Sequence, residues 1–475
     1  MQKVIAFRTQ SGHYLCAENA GAAALVANRP AVGPWEIFLV VDHEGGSVAL
    51  QACNGNYIGL ATSGLLVARA DEIGTAESWR RVPQGPRRVA LRHANGRYLS
   101  AVGGGGAGVG LTATSVGTNE VFEEVAVQGS ASGFSPEIHG FRFTNTFEVE
   151  PIQNVRFSGL CGGMAYAALD YYNARVQIPP QDYRPAVGTP LFNFIFSRQG
   201  RSIVDNLDKW GELFFNPFGW RSDEFFRWGL QGYAGGRLQE LRTALSLGHP
   251  TPLGLFKAGN GGAGPHHQVL AIGVSQGRYL GDLGNNAEDL RIFIYDPNFP
   301  NKVMTLAPSL ADKCYYYLEN PSCRWMTYFV DRKYRPVVPP TLPATPTTVD
   351  GVVDELLLEI RTGGDDLRGG NDNVHATIGY ADGSVQVAPN INHLARWIDH
   401  HTETVPIALS RRVRPAELKS VTLTTTFGGG IAGDNWNLDA LRVLAGGAEL
   451  YSQRGTPLRR FTGDNRPFVA ELMVR

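Results

Sequence analysis

The chain has 475 residues, and 43 Lys plus Arg against 44 Asp plus Glu leave a formal charge of −1. That balance excludes a protein that grips nucleic acid by neutralising phosphates, which needs a basic face. With 43% hydrophobic and 18% charged residues the chain is expected to fold, and its length suggests about three domains. The 57 glycines and 28 prolines fit many short strands joined by turns. No window approaches about 18 consecutive apolar residues, so no transmembrane segment is expected. The apolar run near the start, Val4 to Phe7, is too short for a signal peptide, so the protein is expected to be cytoplasmic, or secreted without a recognisable leader. The five cysteines, Cys16, Cys53, Cys161, Cys314 and Cys323, are too sparse for a disulfide framework, and none has CxxC spacing. Whether Cys314 pairs with Cys323 is open at this stage.

The first 128 residues repeat themselves three times. VIAFRTQSGHYL from Val4, VALQACNGNYI from Val48 and VALRHANGRYL from Val89 share an apolar-Ala-apolar start and a Gly-x-Tyr-apolar end. A second strand follows in each unit, from Leu25, Leu66 and Leu111, and each unit closes on an aromatic, assigned to Trp35, Trp79 and Phe122. Corresponding positions lie 41 to 45 residues apart. Alternating apolar residues make strands buried on one face, and Gly supplies the positive φ of a tight turn. Three such units, with the tyrosines and closing aromatics filling a shared core, predict a β-trefoil over residues 1–128. At its Gly-x-Tyr-Leu signature the segment resembles the fascin-like β-trefoils. It has one trefoil where fascins have four, and it lacks the Gln-x-Trp signature of ricin-type lectins. The resemblance implies a module for a glycan or protein ligand rather than actin bundling; a docking or solubilising role is the plainer reading.

Residues 129–335 read differently. SGLCGGMAYAALDYYNA, from Ser158, places Cys161 at the start of a buried helix behind a Ser-Gly loop. A helix N-terminus favours a thiolate, the reactive form of Cys; a buried structural thiol is the competing reading. Further on, GGAGPHHQVLAIGV sets His267 at the mouth of a strand, and LRIFIYDPNFP ends another strand at Asp296. A thiol nucleophile needs a base within hydrogen-bond reach and a group to orient that base.

In that order and local context the segment resembles the papain-like cysteine peptidases in the broad sense. His267-Gln-Val269-Leu-Ala-Ile-Gly273 matches the family's His-x-Val-x-x-x-Gly strand, and Asp296-Pro297 matches the Asp-Pro context of the double-glycine-peptidase-like branch. The resemblance implies Cys161 as nucleophile, His267 as general base and Asp296 as orienter. Gln153 and Asn154 are the oxyanion-hole candidates, although neither has the family's spacing to the Cys. His266 competes for the base and Asn298 for the orienter; His249 reads as a helix cap. The implied chemistry needs no cofactor and acts on a protein or peptide through a thioester acyl-enzyme. Transglutaminases and some amidases share this machinery.

The aromatic stretch LFFNPFGWRSDEFFRWGL reads first as a core helix-turn-helix and second as the wall of a substrate cleft. GGRLQELRTALSLG is an amphipathic helix ending at Gly248. Residues 336–348 are a proline-rich linker. Residues 349–475 show short alternating strands, expected to form a β-sandwich. Through Gly433-Asp434-Asn435-Trp436 this segment is similar to the lipoxygenase-homology sandwiches, which implies a protein partner or a membrane surface. Asp365, Asp366, Asn371, Asp372 and Asn373 offer oxygen ligands for calcium, but without EF-hand spacing. His393, His400 and His401 read as a solvated loop. The expectation as a whole is a multidomain, mostly β protein with one α+β domain: a cysteine hydrolase flanked by targeting modules. The alternatives are a non-catalytic glycan- or protein-binding protein retaining a papain-like scaffold, and a transglutaminase-type acyl transferase.

Overall fold

The computed structural model describes residues 3–152, 155–216, 219–257, 266–342, 351–428, 434–464 and 466–473. The chain divides into two compact units. Met1–Phe141, Met164–Ile178 and Gly200–Val338 form the first; Arg142–Gly163, Pro179–Gln199 and Pro339–Arg475 form the second.

The first unit opens with a β-trefoil. Six strands close a barrel: Lys3–Arg8 pairs with Phe38–His43, which pairs with Ser47–Gln51. Ser47–Gln51 then pairs with Trp79–Gly85, Trp79–Gly85 with Arg88–His93, and Phe122–Ala126 joins Arg88–His93 back to Lys3–Arg8. Between the barrel strands of each repeat stands a hairpin: Tyr14–Cys16 with Val26–Arg29, Tyr57–Leu60 with Leu66–Ala70, and Tyr98–Ala101 with Ala107–Ala113. The turn glycines Gly12, Gly55 and Gly96 hold φ of +87°, +85° and +87°, the left-handed conformation that favours glycine. The core gathers Ile5 and Phe7, Val48 and Leu50, Val89 and Leu91 from equivalent strands.

Two details differ from the sequence reading. Two of the three tyrosines do not fill the core: Leu15, Ile58 and Leu99, one residue later, point into the trefoil core, and Tyr14 and Tyr98 stay half-exposed, while Tyr57 is buried outside that core cluster. Successive strand residues face opposite sides, so a shift of one changes which side chain is buried. The closing aromatic of the first repeat is Phe38, not Trp35: Phe38, Trp79 and Phe122 are buried, while Trp35 is only half-buried. The register is fixed by a glutamate two residues earlier. Glu36, Glu77 and Glu120 each end a short 3₁₀ turn and accept the N–H of Gly33, Gly74 and Gly117 at 2.7, 3.0 and 2.7 Å.

An antiparallel eight-stranded sheet completes the first unit. Seven strands run in the order Arg324–Trp325, Cys314–Tyr317, Val303–Ser309, Arg291–Tyr295, His267–Ser275, Thr251–Phe256 and Thr327–Val330. Gly129–Ala131 adds to His267–Ser275. All nine residues of His267–Ser275 are buried, which explains why its stretch Val269–Val274 is a continuous apolar run rather than an alternating one. The helices Ser222–Leu230 and Arg237–Ser246 bury Phe226, Leu230, Leu238, Leu241 and Leu245 against the sheet. The second helix stops at Gly248, φ +80°, as its sequence predicts.

The second unit is built on a β-sandwich. One sheet has the order Thr402–Val413, Val353–Thr362, Trp436–Ala445, Ala448–Phe461; the other runs Val385–Ala388, Val374–Tyr380, Leu418–Thr425, Phe468–Glu471. Alternate residues of both sheets meet in one core around Trp397 and Trp436. Ala186, from mid-chain, belongs to that core. Residues 343–348 of the linker, and 349–350 after it, lie outside the described residues.

Candidate active site

His267 begins its strand where the neighbouring strand Arg291–Tyr295 ends, because the two are antiparallel. Asp296 therefore arrives beside the imidazole, and His267 Nε2 donates to Asp296 Oδ1 at 2.7 Å. The carboxylate is fully buried. Its Oδ1 also accepts the backbone N–H of Asn298 at 2.8 Å, and its Oδ2 accepts the Tyr317 hydroxyl at 2.8 Å. Burial, then the charge of Asp296, holds the Tyr317 phenol well above its ordinary pKa, so it remains a donor. The indole of Trp325 lies parallel to the imidazole, centroids 6.4 Å apart, and packs edge-on against Tyr317. With Nε2 committed to Asp296, Nδ1 is the ring nitrogen turned away from that carboxylate.

The two histidines in tandem take different surroundings. His266 stacks on Phe256 at 4.3 Å and touches Phe214 and Trp210 at 4.8 and 5.4 Å. Asn298 does not replace Asp296: its backbone supports the carboxylate, and its amide nitrogen lies 3.3 Å from His267 Nε2. The structure thus brings together His267, Asp296 and Asn298, and adds Tyr317 and Trp325, which the sequence did not single out. His249 is exposed beyond its helix.

Cys161 belongs to the second unit and is the first residue of the helix Cys161–Ala174. Its approach is tightly held. Gly159 takes φ +81° and donates its N–H to Phe147 O at 2.7 Å; Leu160 N–H donates to Asn145 Oδ1 at 2.6 Å. Gly163 N–H donates to Gln199 Oε1 at 2.7 Å. A Cβ on Gly163 would strike Ile195 O and Gln199, so only glycine admits the helix Pro190–Val204 this close. The thiol is half-buried. Asn145 and Gln199, which fix this loop, carried no motif in the sequence.

The remaining candidates part company. Gln153 and Asn154 lie outside the described residues. Two of the candidate calcium ligands face guanidinium groups: Asp365 pairs with Arg460 at 2.9 Å and Asp366 with Arg396. Asn373 spends its side chain on Gly370 O and Asn392, and Asp434 faces Arg368. Among the described residues no three His, Cys, Asp or Glu side chains gather to hold a metal, those of His393, His400 and His401 included. Cys314 and Cys323 are free thiols. The aromatic stretch divides: Phe225 and Phe226 are core, whereas Phe215 and Trp220 are 83% and 78% exposed. No described helix is long and apolar enough to cross a membrane.

Residues 1–81 match the Fascin domain. No curated protein sequence matches the chain. Among solved structures, the designed three-fold symmetric protein ThreeFoil is 22% identical, TM-score 0.24, over 26% of this chain and 99% of its own. The alpha-toxin of an avian Clostridium perfringens strain is 18% identical, TM-score 0.22, over 26% of this chain and 34% of the toxin. SeviL, solved with the asialo-GM1 saccharide, is 13% identical, TM-score 0.22, over 26% of this chain and 94% of its own.

Proposed function

We propose that the chain is a cysteine hydrolase of papain-like build, acting on peptides through Cys161, His267 and Asp296. The observation that carries this reading is the buried, thrice-supported Asp296 holding His267 Nε2 at 2.7 Å. A surface histidine needs no such shell; a base that must turn Nδ1 toward a thiol does. A half-buried cysteine opening a helix, its approach loop pinned by Asn145, is suited to the nucleophile. In this scheme the Cys161 thiolate adds to the substrate carbonyl and His267 protonates the leaving amine. Water deprotonated by His267 then releases the acid from the thioester.

Iodoacetamide labelling near neutral pH tests it. Cys161 is expected to react fast, and His267→Ala to slow it by at least about tenfold. Cys53, whose thiol burial pushes up to about 11, is the internal reference. Cys161 labelling no faster than Cys53 in the wild-type chain removes the hydrolase reading. Incorporation of an amine into a glutamine peptide would redirect it to a transglutaminase-type transferase.

A second reading stands on a separate observation, the Fascin-domain match, and the comparisons favour it. Here the trefoil binds a carbohydrate or a protein, and the sheet is a scaffold without turnover. Glycan-array binding by the full chain, equal in wild type and Cys161→Ser and accompanied by no peptide cleavage, would establish that reading.

A further inference from the structure

The second unit contains a cavity of about 290 Å³ lined by Val149, Val187, Phe192, Phe196, Ile398 and Glu403, among others. Its construction is unusual for a simple packing gap. Phe192 and Phe196, one helical turn apart on Pro190–Val204, stack face to face with centroids at 5.8 Å and 12° between planes. The valines and Ile398 extend this apolar wall. Against it stands one carboxyl, Glu403, more than nine-tenths buried.

Glu403 is under-neutralised. Among the described residues its one hydrogen bond comes from Val187 N–H at 3.2 Å. Arg184 is nearby, at 3.7 Å, but turns its guanidinium N–H groups to the carbonyls of Thr146 and Thr402. His401 Nε2 lies at 3.6 Å, and burial followed by the charge of Arg184 pushes that imidazole down to about 4, so it brings no positive charge near neutral pH. Burial accordingly pushes the Glu403 carboxyl up to about 7 in spite of Arg184. A buried acid facing an apolar cavity is completed by a ligand with an aliphatic or flat stem and a cationic end. The stem lies on the phenyl faces and the cation meets the carboxylate. The rim adds a second carboxylate, Glu148, while the rim cation Arg396 is taken up by Asp366.

The cavity is also well placed within its unit. Phe192 and Phe196 share a helix with Ile195 and Gln199, which abut Gly163 two residues after Cys161. Glu148 and Val149 lie on the strand that pairs with Val155–Ser158, immediately upstream of the Cys161 loop.

We propose that this cavity is the subsite that selects a lysine or arginine side chain of the peptide substrate. As a subsite it rests on the hydrolase reading; as a binding site it does not. The probes are Nα-acetyl-lysine amide and its uncharged counterpart Nα-acetyl-norleucine amide, titrated into the full chain by saturation-transfer NMR. The lysine probe is expected to bind at least tenfold more tightly than norleucine, and Glu403→Gln to erase the difference. Because Glu403→Gln can disturb Arg184, Asn193→Trp is the second variant: Asn193 is exposed in the cavity lining and among the described residues makes no hydrogen bond to Glu403, so the indole narrows the mouth while the acid itself is kept. Equal binding of the two probes, or lysine binding unchanged in folded Asn193→Trp, overturns the proposal. Cys161→Ser separates the two readings. Lysine selectivity retained by that variant, with no peptide cleaved by the wild type, upholds the site and removes the hydrolase. Cleavage with no preference for lysine or arginine at any position, and no probe selectivity, does the reverse.

Discussion

A carboxylate without solvent persists only if donors replace the water it lost. For Asp296 those donors are the His267 imidazole, the Asn298 amide and the Tyr317 hydroxyl. The Tyr317 bond is the one that can be deleted without touching the dyad. Tyr317→Phe is expected to lower stability by about 1–3 kcal/mol, the penalty of a buried acceptor stripped of its partner, read as a shift in urea midpoint at constant slope. It should also slow Cys161 labelling less than His267→Ala does, since His267 keeps its bond to Oδ1. His267 and Asp296 were legible in the text because each sits where an apolar run meets polar residues. Tyr317 was not: CYYY offers three adjacent tyrosines, and only the sheet shows that Tyr317 reaches Asp296 while Tyr315 reaches Phe226 O. His266 and His267 are likewise equal on paper, and diverge because one faces Phe256 and the other Asp296.

Among elements, the three Gly-x-Tyr turns share a backbone but not a neighbourhood. A Cβ on Gly12 meets nothing, whereas one on Gly55 runs into the Glu319 carboxyl. Both positions carry positive φ, so alanine adds about 1–2 kcal/mol of backbone strain at each. Gly55→Ala is therefore expected to destabilise more than Gly12→Ala, the excess measuring the steric conflict where the second repeat meets the sheet. Thermal melts of both variants alongside wild type give the comparison. The repeat itself was readable because identical strand–turn–strand units recur in the text. Its register was not, because Trp35 and Phe38 are both aromatic and only the hydrogen bonds of the Gly-x-x-Glu turns at Gly33, Gly74 and Gly117 set which aromatic turns inward. The sandwich strands were visible by alternation. That Ala186 and the Pro190–Val204 helix start lie with them was not, since packing between distant segments leaves no local periodicity.

At the scale of the molecule, the trefoil and the eight-stranded sheet share one unit, joined through the second repeat. Gln51 Nε2 donates to Val303 O at 3.3 Å and Arg291 Nε to Cys53 O at 3.2 Å, and Glu319 closes over Gly55. Glu319 Oε2 accepts Thr305 N–H at 2.8 Å, while Oε1 is buried without a hydrogen-bond partner among the described residues. Burial is the largest influence and pushes this carboxyl up to about 7; Thr305 and Arg291 pull the other way but do not prevail. An acid whose pKa is higher folded than unfolded binds more protons in the native state. Its protonated form therefore supports the fold below the unfolded value near 4.5, and that support drains away as pH rises to about 7. The full swing is about 3 kcal/mol at most, from ~1.4 kcal/mol per pKa unit. Glu355 and Glu403 in the other unit are raised to about 7 as well, so the pH profile of the wild type alone does not isolate the junction. The difference between wild type and Glu319→Gln does, because every other group cancels. Denaturant unfolding from pH 5 to 8 is expected to show the wild type losing stability relative to Glu319→Gln, with the loss levelling off above about 7. A pH-independent difference would mean that the Glu319 carboxyl is ionised, and compensated, in the folded chain.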